Sequence, residues 1–387
     1  MNPTPSSPLA AEIHEGLDDV VVGVTRLCHI DGEAGQLVYR GLDAARLAES
    51  QPYEAVVHLL HEGRLPTAHE LAAYRARMRD AGRLTPAEGD AVRRPAGGEP
   101  LAAIRTGLSA VAALRGLRPW LDRDPTEVRA EALSLGAAMP AVVTTAHAAA
   151  GMPPAGPGED DSFAARYLSA MRGAPAPAAL VRALDRYLVL TADHGMNAST
   201  FVARAVASTG ADVGSSLVAA LGALSGPLHG GAPGPVLDML DAIGEAGRAR
   251  DWLARRVREG GRIMGFGHRV YRTDDPRAMS LRAAAIQAGY GRTELALAVE
   301  GAALEVLAEM KPGRSLRTNV EFWTAVTLEA CGIPRTLFTA TFAVSRTAGW
   351  TAHVLEQVAH NRLMRPMVAY VGPTPQPPQP PRAPRAA

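Results

Sequence analysis

Apolar residues recur with the spacing of an α-helix along most of this chain, and this periodicity constrains the fold more than any other feature. From Asp43, which is suited to cap a helix, they stand three and four residues apart, as at Ala44 and Leu47. Loops rich in Gly and Pro at 93–100 and 151–162 separate such segments. Only 5% of the residues are aromatic, and the apolar content is mainly Ala, Leu and Val, which favours close-packed helices over sheets. The sequence predicts an all-α fold.

One segment near the start departs from the helical spacing. The stretches VVVGVT at 20–25 and QLVYRG at 36–41 lie on either side of DGEAG at 31–35, whose Asp and Gly residues favour a turn. We therefore expect a small N-terminal β-hairpin and no other sheet.

Dense groups of Gly and Pro also predict how the chain divides. Breaks at 225–234 and 261–273 are of the kind that brings backbone close to a ligand or lets one domain move against another. We expect a large helical domain built from 16–228 and 326–372, interrupted by a smaller domain at 229–325.

The two ends of the chain are expected to lie outside these domains. Residues 1–15 have no helical pattern and are expected to be flexible. The tail at 373–387 carries seven prolines in fifteen residues, a composition that favours polyproline II structure or disorder.

Charge and cysteine content exclude several classes of protein. The 40 Lys+Arg residues balance the 39 Asp+Glu residues, so neither nucleic acid nor an anionic membrane surface is an expected partner, and anion recognition must be local. Cys28 and Cys331 stand far apart, which argues against a disulfide framework and fits a reducing compartment. The start lacks the pattern of a secretory signal, and the longest uncharged runs are too rich in Gly, Pro and Ser for a membrane span. A soluble, cytoplasmic protein is expected.

Four histidines lie in contexts that deserve a functional interpretation. His229 in GPLHGGAP and His268 in GFGHRVYR have glycine neighbours, which give a ligand access to the ring and leave backbone N–H groups free to donate. His194 lies in TADHGMNAST. His353 has helical surroundings and is better explained as a hydrogen-bonded packing residue.

The same motifs argue against metal and nucleotide binding. No two of these histidines stand at i, i+3 or i+4 with a third ligand nearby, and HExxH is absent, so no metal site is predicted. The sequence contains neither GxxxxGK[ST] nor, at GFG 265–267, a GxGxxG motif.

Arginines indicate where an anion could bind. Asp275 fits a helix N-cap and Pro276 the first helical position, which places Arg277 in the first turn. There it either helps the helix N-terminus to hold a carboxylate or phosphate, or is simply an exposed surface residue. Arg365, in NRLMRPM, precedes another proline.

Arg346 gives a sharper expectation than Arg277. It shares a helix face with Phe342 and Trp350, so its guanidinium should be partly buried and must have an acidic partner or an anionic ligand. Glu321 is expected in the first turn of a helix capped by Asn319, where an acid complements the helix dipole whether or not it is catalytic.

Five motifs in order resemble the citrate synthase family, and the likeness runs from about residue 16 to 373. They are ADHGMNAST at 192–200, SGPLHGGAP at 225–233, MGFGHRVYRTDDPRA at 264–278, NVEFW at 319–323 and SRTAGWTAHVLEQ at 345–357. The resemblance implies an all-α homodimer with a large and a small domain in each subunit. It also implies condensation of oxaloacetate, acetyl-CoA and water to citrate and CoA, with no metal or tightly held cofactor.

The resemblance also implies roles for particular residues. Glu321 would be the base that removes the methyl proton, His229 the donor to the enolate, and His268 the group that polarises the keto group and protonates the alkoxide. The residues expected to bind oxaloacetate are His194, Arg277, Arg346 and Arg365, the last reaching across from the other subunit. The residues expected to lie along CoA are Arg262, Ile263, Met264, Gly265 and Phe266.

Three positions depart from the family pattern. Glu321 replaces the usual aspartate base, Gly195 replaces an acidic residue after the substrate-binding histidine, and Met367 replaces an arginine found in many relatives. The first two resemble a bacterial subgroup that keeps the other motifs. Two alternatives to citrate synthesis stay open: the same chemistry with propionyl-CoA, which is 2-methylcitrate synthesis, and a catalytically silent protein that binds oxaloacetate or CoA.

Overall fold

Helices form most of the computed structural model, as the periodicity predicts. The residues that the structure describes are 13–17, 19–95, 98–151, 162–230, 233–268, 270–314, 316–369 and 372. They include sixteen α-helices. These are α1 Ala44–Ser50, α2 Tyr53–Glu62, α3 Ala68–Ala81, α4 Pro86–Arg93, α5 Pro100–Leu114, α6 Pro125–Ala149, α7 Phe163–Arg172, α8 Ala178–Thr191, α9 Ala198–Ala207, α10 Val213–Leu224, α11 Gly234–Ile243, α12 Ala249–Arg258, α13 Pro276–Ala288, α14 Thr293–Met310, α15 Val320–Ala330 and α16 Phe338–Ala359. The all-α prediction is confirmed.

The helix starts follow from local side-chain chemistry. The carboxylate of Asp43 accepts a hydrogen bond from the backbone N–H of Arg46, so the predicted cap of α1 is confirmed. Two later helices begin with a capping box, in which Thr67 and Thr85 are the capping residues. Asp275 caps α13, again as predicted.

The predicted hairpin is present, but its first strand lies later than expected. Strand β1 is Cys28–Asp31 and β2 is Gln36–Tyr39, and they pair in antiparallel fashion. Strand β3, Leu42–Asp43, adds to the other edge of β2. The assignment of 20–25 to the first strand was wrong, because the Asp31 carboxylate accepts from the N–H groups of Glu33 and Ala34 and so closes the turn directly after β1.

Helix α16 lies at the centre of the core and is buried along almost its whole length. It contacts α2, α6, α8, α9 and α10. Such a helix needs small residues where its neighbours approach closely, which the Ala, Ser, Thr and Gly of this segment supply. Its buried backbone is tied to α2, because the Tyr53 hydroxyl lies 2.8 Å from Ser345 O. Trp350 of this helix also donates to Ser199 Oγ, at the site described below.

One helix in the described part of the chain has the length and apolar composition to cross a membrane. This is α6, and half of its most apolar window is buried inside the protein. Core helices of soluble proteins have the same properties, so the observation is weak evidence for a span.

The chain separates into two units. One is Thr25–Leu363, which contains all of the helices and strands named above. The other comprises Met1–Val24 and Met364–Ala387. The division into a large and a small domain with boundaries at 229 and 325 stays a prediction. The expectation for the tail at 373–387 and most of that for 1–15 fall outside the described residues.

Two glycines inside helices test the packing of α16. A Cβ on Gly349 would lie 2.5 Å from Ala192 O and 2.6 Å from Asp193 Oδ1, whereas one on Gly301 of α14 would meet nothing within 4 Å. We expect Gly349→Ala to destabilise the protein by about 1–3 kcal/mol through overpacking. Gly301→Ala, the matched control, should stabilise it by about 0.5–1 kcal/mol. Urea unfolding of both variants measures this, and equal midpoints would contradict the close approach at Gly349.

Candidate active site

Two of the predicted histidines meet at the end of α8. The ring centroids of His194 and His268 are 5.7 Å apart, and Tyr271 lies beside both. Within the described residues, the buried Nε2 atom of His194 has no hydrogen-bond partner. Burial and the neighbouring cation Arg277 hold the pKa of His194 well below its usual range. His194 is thus a buried, neutral imidazole with one polar atom available to a ligand.

The loop around His268 fixes the tautomer of that ring. The backbone N–H groups of Val270 and Tyr271 both donate to His268 Nδ1, at 3.0 and 3.1 Å. Burial and the charge of Arg277 lower the pKa of His268 to about 4. The ring is therefore neutral near pH 7, with its proton on Nε2.

The proton on His268 Nε2 faces a second donor. The Nη2 atom of Arg277 lies 3.3 Å from His268 Nε2. Because a guanidinium can only donate and Nε2 carries a hydrogen, the two groups do not satisfy each other. Two donors that converge in this way are suited to share one acceptor, such as a carbonyl or carboxylate oxygen of a ligand.

Arg277 is buried and paired, so its interpretation as an exposed surface residue was wrong. It is 3% exposed. Its Nε and Nη2 atoms donate to Asp275, at 2.9 and 2.8 Å. Burial by itself would lower the pKa of Arg277, but the Asp275 carboxylate raises it above its usual value. The arginine is thus held ionised in one orientation, with Nη1 and part of Nη2 left for a ligand.

Asp275 does more than cap α13, and the sequence reasoning missed this. Its Oδ2 atom also accepts a hydrogen bond, at 3.0 Å, from the N–H of Val320, the first residue of α15. One buried carboxylate therefore joins the arginine at the start of α13 to the start of the helix that carries Glu321. The local pattern showed only the cap.

Glu321 lies in the first turn of α15 with Asn319 as its cap, as predicted. The Asn319 side chain accepts from Glu321 N and donates to Gly267 O, both at 2.9 Å. These two hydrogen bonds place Glu321 beside the loop that carries His268. Burial raises the pKa of Glu321, and the charges of Arg277 and Arg262 partly offset the rise. A raised pKa makes a carboxylate a stronger base.

His229 is held by the start of α9. Its Nε2 atom accepts from the N–H of Ser199 at 3.3 Å and lies 2.8 Å from Ser199 Oγ, which in turn accepts from Trp350 Nε1. Both contacts of the ring use Nε2, so Nδ1 is the ring nitrogen left for a ligand among the described residues. Burial and the charge of Arg346 lower the pKa of His229. Ser199, which holds this ring, is a further residue that the sequence reasoning missed.

Arg346 is the least compensated charge in the described residues of the site. It is 2% exposed, its Nε atom donates to Thr191 O at 2.8 Å, and its guanidinium packs over the Phe342 ring. The structure shows no carboxylate in an ion pair with it in the described parts of the chain. Burial lowers the pKa of Arg346, and Asp193 opposes that effect from a distance. The predicted acidic partner is therefore absent there, which leaves the predicted anionic ligand.

The segment predicted to bind CoA runs beside Glu321. Ile263 is buried, Arg262 is exposed, and Phe266 packs edge to face against Phe322 with ring centroids 5.4 Å apart. Gly265 has φ +83°, and a Cβ there would lie 2.7 Å from Phe322 Cβ. Met264 is partly buried. Backbone, Arg262 and Met264 are the parts of this segment that remain for a ligand.

Comparison with known proteins identifies the family. The model of the citrate synthase family, described as "Citrate synthase, C-terminal domain", matches residues 16–367. The chain belongs to the citrate synthase family. It is thus an enzyme of a family of transferases.

Relatives and solved structures of citrate synthases match over nearly the whole chain. The putative citrate synthase 2 of Mycobacterium tuberculosis is 42% identical over 93% of both chains. The 2-methylcitrate synthase of Mycobacterium tuberculosis is 35% identical and covers 93% of this chain and 91% of its own. A structure of the Thermoplasma acidophilum citrate synthase with carboxymethyl coenzyme A and oxaloacetate has a TM-score of 0.85 at 31% identity, over 95% of this chain and 98% of that one.

The structure gives a physical context for one departure from the citrate synthase pattern. Gly195 has φ +59°, in the left-handed region, and a Cβ there would lie 3.4 Å from Ile30 Cδ1. An acidic residue in this backbone conformation would be strained. Arg365 and Met367, in the unit that comprises Met1–Val24 and Met364–Ala387, are both exposed. A role for Arg365 across a subunit interface stays a prediction.

Substitution of two adjacent aspartates tests how much the buried ion pair of Asp275 and Arg277 contributes to stability. We expect Asp275→Asn to lower the free energy of unfolding by about 3–5 kcal/mol, because it leaves the buried Arg277 without its counter-charge. Asp274→Asn is the matched control. The Asp274 side chain is 61% exposed and 4.0 Å from Arg317, so its loss should cost less than about 1 kcal/mol. Chemical denaturation compares them, and similar losses in both would contradict a special role for Asp275.

Proposed function

We propose that this protein is a citrate synthase that condenses oxaloacetate, acetyl-CoA and water to citrate and CoA. The observation that carries the proposal is the convergence of two donors, His268 Nε2–H and Arg277 Nη2–H, whose nitrogen atoms are 3.3 Å apart. Such a pair suits the keto oxygen of oxaloacetate, on which negative charge develops during condensation. The fixed tautomer of His268 keeps a proton available for that oxygen.

The first step would form the nucleophile. Glu321 removes a proton from the methyl group of acetyl-CoA, and the raised pKa of this carboxyl favours the transfer. His229 donates from Nδ1 to the thioester oxygen, where the charge of the enolate develops. Both groups are needed because a methyl group beside a thioester is a very weak acid.

The second step would join the two substrates. The enolate carbon attacks the keto carbon of oxaloacetate, a C–C bond forms, and the electron pair of the C=O bond moves to oxygen. His268 supplies the proton that converts this alkoxide to a hydroxyl. Water then cleaves the thioester, which releases citrate and the thiol of CoA.

The carboxylates of oxaloacetate would bind to polar groups of the site that have no partner among the described residues. The proposed binding groups are the guanidinium of Arg346, the free N–H groups of Arg277 and the Nε2 atom of His194. Arg346 is buried without an ion pair among the described residues, so a dianionic ligand would provide its missing counter-charge. The family resemblance adds Arg365 of the partner subunit, which requires a homodimer.

The remaining parts of the proposal concern CoA, cofactors and location. Residues 262–266 would lie along CoA, with Arg262 as the exposed cation. Every step above uses side chains of this chain, with acetyl-CoA as co-substrate and no resident cofactor. The balanced charge and the isolated cysteines support a cytoplasmic location.

A second candidate function is 2-methylcitrate synthesis from propionyl-CoA. It is supported by the 35% identity with the 2-methylcitrate synthase of Mycobacterium tuberculosis. One methylene group is worth only about 1–3 kcal/mol of discrimination in an apolar pocket, so the same side chains can serve both reactions. A catalytically silent binding protein is the third candidate, prompted by Glu321 and Gly195.

A thiol-release assay with oxaloacetate and a series of short acyl-CoAs separates the three candidates. We expect turnover with acetyl-CoA that requires oxaloacetate, and the ratio of kcat/KM for acetyl-CoA and propionyl-CoA decides between the first two. Glu321→Gln should lower kcat by about 100-fold to 10,000-fold, because the general base is lost. Glu329→Gln, at the other end of α15, is the control and should retain activity. Absence of thiol release with every acyl-CoA would contradict both enzymatic candidates.

Subunit mixing tests the proposed role of Arg365. Arg365→Ala and Glu321→Gln homodimers should each be nearly inactive. Mixed dimers contain one site with both natural residues, so random mixing should restore about a quarter of the parent activity. If mixing restores none although both variants bind acetyl-CoA and exchange subunits, Arg365 does not act across the interface.

A further inference from the structure

A buried carboxylate directly precedes the substrate-binding histidine and has no part in the steps above. Asp193 is fully buried, and its Oδ2 atom lies 3.3 Å from Nε2 of His353, which is also fully buried. Burial of an ionised carboxylate is costly unless other groups compensate it. Its neighbours therefore indicate what the carboxylate does.

The hydrogen bonds of His353 fix the direction of donation. Arg204 Nη1 lies 3.3 Å from His353 Nδ1 and also donates to Glu356 at 2.8 Å. Because a guanidinium has no acceptor, Nδ1 of His353 must accept and its proton must lie on Nε2. His353 thus donates to Asp193. Glu356, Arg204, His353 and Asp193 form a chain of hydrogen bonds that leads inward from a partly exposed carboxylate.

One face of α16 holds the segment that ends at Asp193. Arg346 Nε donates to Thr191 O at 2.8 Å, and Gly349 N donates to Ala192 O at 3.0 Å. His353 then bonds the side chain of Asp193. These three residues of α16 stand at i, i+3 and i+7, so they share a helix face and contact three consecutive residues in order.

We propose that His353 is a positioning residue for oxaloacetate binding, acting through Asp193 on His194 and Arg346. The inference rests on the proposed function, because it concerns the oxaloacetate subsite. His194 is the residue that follows Asp193, so the position of its free Nε2 atom depends on how the preceding segment is held. The packing interpretation of His353 is thus extended, because the contact reaches the site.

Electrostatics support the same assignment. Burial by itself would raise the pKa of Asp193, but His353 and Arg346 hold it below its usual value. Asp193 in turn opposes the effect of burial on the pKa of Arg346. The hydrogen bond from His353 thus helps Asp193 to remain ionised, and the charge of Asp193 partly offsets the cost of burying Arg346.

Calorimetric titration with oxaloacetate tests the proposal without requiring turnover. We expect His353→Leu to weaken oxaloacetate binding by about tenfold, the scale of a hydrogen bond to a charged group. His353→Gln keeps an N–H donor and should recover most of the affinity. His61→Leu is the matched control, since His61 is buried and bonds Thr351 of the same helix at 2.8 Å. It should lower the melting temperature similarly and leave the oxaloacetate Kd within about twofold of the parent value.

Repeating the measurement in an Asp193→Asn variant tests whether His353 affects oxaloacetate binding through Asp193. If His353 acts through Asp193, the additional change His353→Leu should alter the oxaloacetate Kd by less than about threefold in that background. A full tenfold effect there would overturn the assignment to Asp193. An unchanged Kd in His353→Leu, or equal losses in His353→Leu and His61→Leu, would overturn the positioning role.

The outcomes also separate this inference from the proposed function. If the parent binds oxaloacetate but releases no thiol, citrate synthesis fails while the His353 test still decides the positioning role. If the parent does not bind oxaloacetate, both proposals are overturned. A steady-state measurement adds a second check, because a positioning role predicts a rise in the KM for oxaloacetate without a similar rise in the KM for acetyl-CoA.

Discussion

The site depends on the carboxylate of Asp275. It accepts hydrogen bonds from the backbone and the guanidinium of Arg277 and from the N–H of Val320, so one side chain orients this arginine and the start of α15 together. His268 meets the same guanidinium, and Glu321 lies one residue beyond Val320. A change in the position of this carboxylate would therefore move the proposed acid, the proposed base and the cation together. A misplacement of about 1 Å is enough to cost on the order of 100-fold in rate.

Local chemistry explains which parts of the fold could be predicted. The caps Asp43, Asp275 and Asn319 act within three residues of themselves, so the sequence alone reveals them. The first strand of the hairpin was placed wrongly because the valines at 20–25 have high strand propensity. Propensity is weak beside the hydrogen bonds of the Asp31 turn, which set where pairing begins.

The types of residue at the site were predictable from the sequence, whereas their protonation states and hydrogen bonds were not. His229 and His268 were visible through their glycine neighbours. The tautomer of His268 depends on N–H groups that a motif does not show, and the ring of His229 is held by Ser199, thirty residues earlier. Asp275 looked like a simple cap because its bond to Val320 spans 45 positions. Sequence patterns record neighbours along the chain, and the missed contacts join segments that only the fold brings together.

The two buried arginines differ in how their charge is compensated, and the difference suits the dianionic substrate that we propose. Arg277 carries its own carboxylate, so it is oriented before a ligand arrives and needs little from it. Arg346 has no ion pair among the described residues, although the more distant Asp193 opposes the cost of burial, and a carbonyl and an aromatic ring keep its guanidinium in place. A ligand carboxylate at Arg346 would therefore gain more than one at Arg277, because it relieves an existing desolvation cost. In the proposed reaction, binding energy of this kind, remote from the reacting carbon, can be used to align the keto group with His268 and Glu321.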